Sequence, residues 1–182
     1  MYRNTLELSR AAMTAYDPSG PTDDEETTEE SPEIEPGADR PTWEVERSTD
    51  DVGDLGVGDR VSFSKTISDD DVQSFAAASG DTNPLHLDDE YAAETRFGGR
   101  IAHGTLVSGL ISAALARLPG TVVYLSQDME FLAPVRIGDR VTAEVELVED
   151  LGGGRLRLST TIYNDDDPCI DGEAVVLVPD SE

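Results

Sequence analysis

Between residues 105 and 116 the chain reads Thr-Leu-Val-Ser-Gly-Leu-Ile-Ser-Ala-Ala-Leu-Ala, and the first charge after it is Arg117. The spacing predicts a helix over about residues 104–118, and a helix apolar on nearly all sides is buried on nearly all sides. About fifteen residues rise only ~22 Å, too little to cross a hydrocarbon layer of about 30 Å. The helix must therefore be wrapped by other parts of the chain.

The sequence that follows supplies the wrapping. Residues 121–131 are strand-like, and Val141, Ala143, Val145 and Leu147 alternate with Thr142, Glu144 and Glu146. Leu156, Leu158, Thr160 and Ile162 alternate in the same way with Arg155, Arg157, Ser159 and Thr161, and residues 173–178 close the series. Gly152-Gly153-Gly154 and Asn164-Asp165-Asp166-Asp167-Pro168 mark the turns between them. Alternation means one wet and one dry face, which suits an antiparallel sheet. The predicted fold class is α+β: a curved antiparallel sheet around one buried helix. Gly-Asp-Arg-Val occurs at residues 58–61 and again at 138–141, as two similar entries into strands.

Upstream, Ser68 reads as the N-cap of a helix with Asp69, Asp70 and Asp71 in its first turn, where the helix dipole favours negative charge. Val72, Phe75 and Ala76 give it an apolar face, and Gly80 stops it. Before residue 55 the texture changes. Residues 17–54 are dominated by Asp, Glu, Thr, Pro and Ser, with too few apolar side chains to offset the entropy of ordering. An acidic, largely disordered extension over residues 1–54, with a weak helix at residues 1–16, is expected to precede a domain over residues 55–182. Such an extension serves either as an interaction tail or as a solvating segment, and the composition favours the second.

The chain carries 39 acidic and 13 basic residues, a formal charge of −26, and Lys65 is its only lysine. That field repels nucleic acid and anionic membrane surfaces, so neither is an expected partner. It also repels the phosphates of a nucleotide-bearing substrate, unless the medium is salty: the Debye length falls to about 3 Å at 1 M. Acid-rich, lysine-poor composition reads as adaptation to a salt-loving source. Cys169 is the single cysteine, which excludes an intrachain disulfide and a cysteine-based metal site. Residues 1–15 lack a continuous apolar run, so neither a signal peptide nor a membrane span is expected and a cytoplasmic protein is the default.

The chemistry concentrates in Gly80-Asp81-Thr82-Asn83-Pro84-Leu85-His86-Leu87-Asp88. Asp81 and His86 lie five residues apart with Pro84 stiffening the link, and a carboxylate beside an imidazole can orient and deprotonate water. The same spacing also describes a turn with a capping Asp and a surface His. His86 and His103 are the only two histidines, and His103-Gly104 falls where the buried helix begins. Backbone N–H groups there lack helical partners and favour a developing negative charge. Gly104 is either an oxyanion donor or merely part of the helix entry, and His103 reads as structural.

Taken together, Ser79-Gly80-Asp81-Thr82-Asn83-Pro84-Leu85-His86, Tyr91-Ala92-Ala93, Phe97-Gly98-Gly99-Arg100-Ile101-Ala102-His103-Gly104, residues 124–131, Leu132-Ala133-Pro134-Val135 and Gly138-Asp139-Arg140-Val141 closely resemble the MaoC-like (R)-specific enoyl-CoA hydratases. The likeness covers roughly residues 57–178. It implies a single hot-dog fold, with Asp81 and His86 as the catalytic pair and Gly104 donating to a thioester carbonyl. It further implies Ser112 near the site and Asn83 fixing the loop around the pair. Thr105 departs from the larger Met or Leu of the family pattern, which bears on pocket shape. The implied reaction is reversible hydration of trans-2-enoyl-CoA to (3R)-3-hydroxyacyl-CoA, with no metal or redox cofactor and coenzyme A entering only as part of the substrate. A homodimer paired through sheet edges is also implied.

Three other readings compete. One is a dehydratase acting on an acyl-carrier-protein thioester, or on a branched or dicarboxylic acyl-CoA. A hot-dog thioesterase usually carries its carboxylate on the central helix, and residues 104–118 contain none. A non-catalytic acyl-binding subunit is expected to lack Asp81 or His86, and this chain has both.

Overall fold

The computed structural model describes residues 34–179. The weak helix expected at residues 1–16 lies outside them. Six strands, β1 (Glu44–Arg47), β2 (Arg60–Thr66), β3 (Val123–Phe131), β4 (Arg140–Gly152), β5 (Arg155–Asn164) and β6 (Asp167–Leu177), form one antiparallel sheet in the order β1-β2-β4-β5-β6-β3. Four helices accompany it: α1 (Asp69–Ser79), α2 (Pro84–Leu87), α3 (Asp89–Ala93) and α4 (Gly104–Leu115). None is long and apolar enough to cross a membrane.

Period-two patterning puts Val141, Ala143, Val145 and Leu147 of β4 on the dry face, opposite Val61 and Phe63 of β2 and Leu158, Thr160 and Ile162 of β5. Val107, Leu110, Ile111, Ala114 and Leu115 of α4 fill the concavity against them. Register shifts in β4 near Leu147/Glu149 and Asp150/Gly152 mark bulges, which bend a strand and increase its twist.

Two expectations need correction. The central helix is not buried on all sides: Thr105, Gly109, Ser112 and Ala116 face outward. The sheet covers only one side of α4, and its other flank runs beside edge strand β3, where Val123, Tyr124, Leu125 and Phe131 are exposed. The acidic stretch ending at residue 54 also contains ordered structure. Strand β1 pairs with β2, Val45 opposite Phe63, and Trp43 stands edge-on to the Phe63 ring at 5.5 Å. Two carboxylates of that stretch find arginines in the domain, Asp39 with Arg117 at 2.6 Å and Glu44 with Arg140 at 2.9 Å. Trp43 and Val45 supply the apolar contact that average composition concealed.

Candidate active site

Helix α1 delivers the first site residue. Ser68 and Asp71 form a reciprocal capping box at its start, and Gly80 ends it at φ 77°, a left-handed conformation that glycine adopts without penalty. Beyond it, the Asp81 N–H donates to Ser79 Oγ at 3.1 Å, and the Asp81 carboxylate accepts from the Asn83 N–H at 3.3 Å. Asn83 Oδ1 in turn accepts from the Leu85 N–H at 3.0 Å, so Asn83 is the N-cap of α2 with Pro84 behind it. Asn83 therefore fixes the loop, while its own side chain points to the backbone rather than to a cavity.

His86, 8% exposed, sits on α2. Its Nδ1 lies 2.8 Å from the Ile101 carbonyl. A carbonyl only accepts, so Nδ1 carries the proton and Nε2 presents the lone pair. The Ile101 segment is itself anchored, by a bridge to Arg136 and by the Ala102 N–H donating to the Val135 carbonyl at 2.8 Å. His103, 1% exposed, brings its ring within 4.0 Å of His86, centroid to centroid, and its Nε2 within 3.0 Å of the Asp81 carbonyl oxygen.

Asp81, His86 and His103 thus offer a carboxylate oxygen and two imidazole nitrogens within 4.8 Å of one another. This is also a donor set that a divalent transition ion accepts. Two groups sharing one water through bonds of about 2.8 Å at a tetrahedral angle stand ~4.6 Å apart, so the spacing equally suits a shared water.

A cavity of about 250 Å³ adjoins His86, walled by Phe97, Val107, Phe131, Leu132, Pro134 and Ile170, with Arg96 and Gly104 also on its lining. Gly104 is the first residue of α4, and the side chain of its N-cap residue, His103, makes no capping hydrogen bond. The first-turn N–H groups of α4 have no helical acceptor, and Gly104 among them lines the cavity. A Cβ at residue 104 would come within 2.8 Å of Phe131 Cε1, so glycine permits this close fit of helix and cavity wall.

Ser112 is not brought here. Two turns further along α4, it lines a separate groove with Thr105, Ser108, Gly109 and the β3 residues Tyr124 and Leu125. In a helix of 1.5 Å rise per residue, it lies ~12 Å along the axis from Gly104. The residues alone did not point to the Ile101 carbonyl, which sets the His86 tautomer, or to the contacts of the His103 ring with Asp81 and His86; neither leaves a signal in spacing. Cys169 is buried, donates Sγ–H to the Ile162 carbonyl at 3.2 Å, and has its thiol pushed above the ordinary value by burial, so it is no nucleophile.

A curved antiparallel sheet folded on one helix, with an imidazole and a carboxylate at the entry of that helix, defines a hot-dog protein with an acid–base site. The chain belongs to the MaoC-like domain family, whose model matches residues 55–165. It is 50% identical over 132 residues to the 3-hydroxybutyryl-CoA dehydratase of Methylorubrum extorquens, covering 71% of this chain and 84% of that one. It is 46% identical over 131 residues to the (R)-specific enoyl-CoA hydratase of Rhodospirillum rubrum, covering 69% and 90%. Among solved structures, R-hydratase PhaJ1 from Pseudomonas aeruginosa in the unliganded form superposes with a TM-score of 0.69 at 39% identity, covering 76% of this chain and 90% of that one.

Proposed function

We infer that the protein is a hydro-lyase that reversibly hydrates trans-2-enoyl-CoA to (3R)-3-hydroxyacyl-CoA. The observation that carries this reading is one cavity lined by both His86 and Gly104, the first residue of α4, with the Asp81 carboxylate within 4.8 Å of a His86 ring nitrogen. The thioester carbonyl accepts from the Gly104 N–H, which makes C3 electrophilic and stabilises the enolate-like charge that develops. His86 Nε2 and the Asp81 carboxylate hold one water against C3. As its oxygen bonds to C3, a proton passes to this pair, and a proton from the pair goes to C2 on the same face. The two groups act as a coupled unit. The step consumes one water and needs neither metal nor redox cofactor. The cavity falls just below the usual ligand-pocket range of about 300–1,000 Å³, which favours a short acyl chain.

The second half of the proposal is a homodimer. Strand β3 is a sheet edge with one side unpaired among the described residues, and its exposed apolar residues continue onto the bare flank of α4. An open edge of this kind is closed by a second copy of the chain. The acidic surface suits work in concentrated salt in the cytoplasm.

The direct test is loss of enoyl absorbance with crotonyl-CoA in high-salt buffer containing a chelator. Asp81→Asn and His86→Gln are each expected to lower kcat by about 10²–10⁴-fold with the fold retained. Normal turnover in either folded variant overturns the assignment.

A further inference from the structure

His103 occupies the N-cap position of α4, yet its side chain makes no hydrogen bond to the helix. Ser, Thr, Asp or Asn would serve the helix better there. A buried imidazole that does not cap needs another reason to be present, and its contacts supply one. Its Nε2 lies 3.0 Å from the Asp81 carbonyl oxygen, which fixes the proton on Nε2. Its face lies on His86, with the ring planes inclined by 35°, and Phe75 packs on it at 4.9 Å. Nδ1 is left as a buried lone pair with no partner among the described residues. A buried acceptor without a donor costs stability, and such an exception calls for an explanation. The explanation is that this position needs a flat ring and an N–H donor at once, and histidine supplies both in a small volume.

We propose that His103 is a positioning residue for the hydration reaction. Its Nε2–H holds the Asp81 backbone and its ring face holds the plane of His86, so that the carboxylate and Nε2 of the pair meet the same water. This rests on the function inferred above. His103 touches no reacting atom, and its effect is geometric: a misplacement of about 1 Å at a reacting centre costs ~100-fold.

Three variants separate the two contacts. His103→Ala removes both, His103→Phe keeps a flat face without the donor, and His103→Gln keeps an N–H donor without the ring. With crotonyl-CoA, His103→Ala is expected to lower kcat by about 100-fold while KM stays within about twofold, and the Phe and Gln variants are each expected to recover part of the loss. On a His86→Gln background the Ala change should cost little more, since residues acting as a unit are non-additive. Unchanged kcat in folded His103→Ala overturns the proposal. So does a loss that merely follows the folded fraction in thermal unfolding. If the wild type leaves crotonyl-CoA untouched, the hydratase reading falls by itself. Positioning is then read from nitrogen-15 spectra of His86, and a ring with the same tautomer and line shape in His103→Ala as in wild type overturns it.

Discussion

The cavity at the N-terminal end of α4 and the groove along its flank are built on the same helix, yet they are surfaces of different kinds. The groove is the larger, about 460 Å³ against about 250 Å³. Among the described residues it holds neither histidine nor a charged side chain, and Ser108 Oγ–H donates back to the Thr105 carbonyl at 3.0 Å, inside its own helix. In the cavity, by contrast, His86, Arg96 and the first residue of α4 line one space. Volume therefore does not mark the reactive site here. The company of histidine and charged side chains does, while the small residues of the groove lie beside edge strand β3.

The largest effect that breaks this comparison comes from the groove. Leu125 is 49% exposed at the irregularity in β3, between Tyr124 and Ser126. A charge on a strand edge is how edge pairing is blocked. Leu125→Glu is expected to weaken the proposed homodimer by about 100-fold or more, a loss of ~3 kcal/mol typical of a central interface residue. Sedimentation across a concentration series reads it directly. An unchanged dimer moves the interface elsewhere and leaves the groove without its assigned occupant.

The same two surfaces show what the sequence makes legible. Val141 to Leu147 announce their strand because burial on one face imposes a period of two, and the capping box at Ser68 and the stop at Gly80 are local chemistry that needs no tertiary context. Asp81, His86 and Gly104 are singled out by motif and resemblance; the fold sets Asp81 close to His86, and His86 and Gly104 on one cavity. Ser112, which the likeness puts near the site, lines the groove beside β3 in this chain, and spacing along α4 does not tell which flank the sheet leaves open. The role of His103 was invisible for a related reason. Its contacts are to a backbone carbonyl twenty-two residues away and to the face of another ring, neither of which constrains spacing in the chain.

A smaller effect sharpens the cavity side. Arg47, Arg60, Arg100, Arg117, Arg140 and Arg157 each hold a carboxylate, as expected in so acidic a chain. Arg96 holds none among the described residues; its guanidinium carbon stands 4.8 Å over the Phe97 ring on the cavity lining. An unpaired cation there suits the anionic handle of a thioester. Arg96→Glu is expected to raise KM for crotonyl-CoA by about tenfold, ~1.4 kcal/mol, and to leave the phosphate-free crotonyl-N-acetylcysteamine unaffected. The difference should shrink as salt is added. Equal losses with both substrates would make Arg96 a wall residue only.

The smallest effect tests what holds the loop of Asp81 in place. Lys65 Nζ lies 2.7 Å from Asp71 Oδ1, and the other oxygen of Asp71 accepts from the Ser68 N–H and hydroxyl, both at 2.8 Å. Burial by itself raises the Asp71 carboxyl, but the hydrogen bonds from Lys65 and Ser68 outweigh it and hold the group below its ordinary value. A depressed carboxylate stabilises the fold fully above its unfolded value near 4, and this contribution is lost as pH falls through the lower folded value. Asp71→Asn should cost about 1 kcal/mol at neutral pH, the usual worth of a helix cap, and little once the wild-type carboxylate is also protonated. Because α1 leads into Asp81, the loss should reach turnover before it reaches dimerisation. Urea unfolding from pH 7 to pH 3, with kcat and sedimentation followed together, reads both. A stability difference that stays constant over that range removes Asp71 ionisation as its cause, and dimerisation failing first would tie α1 to the groove rather than to the cavity.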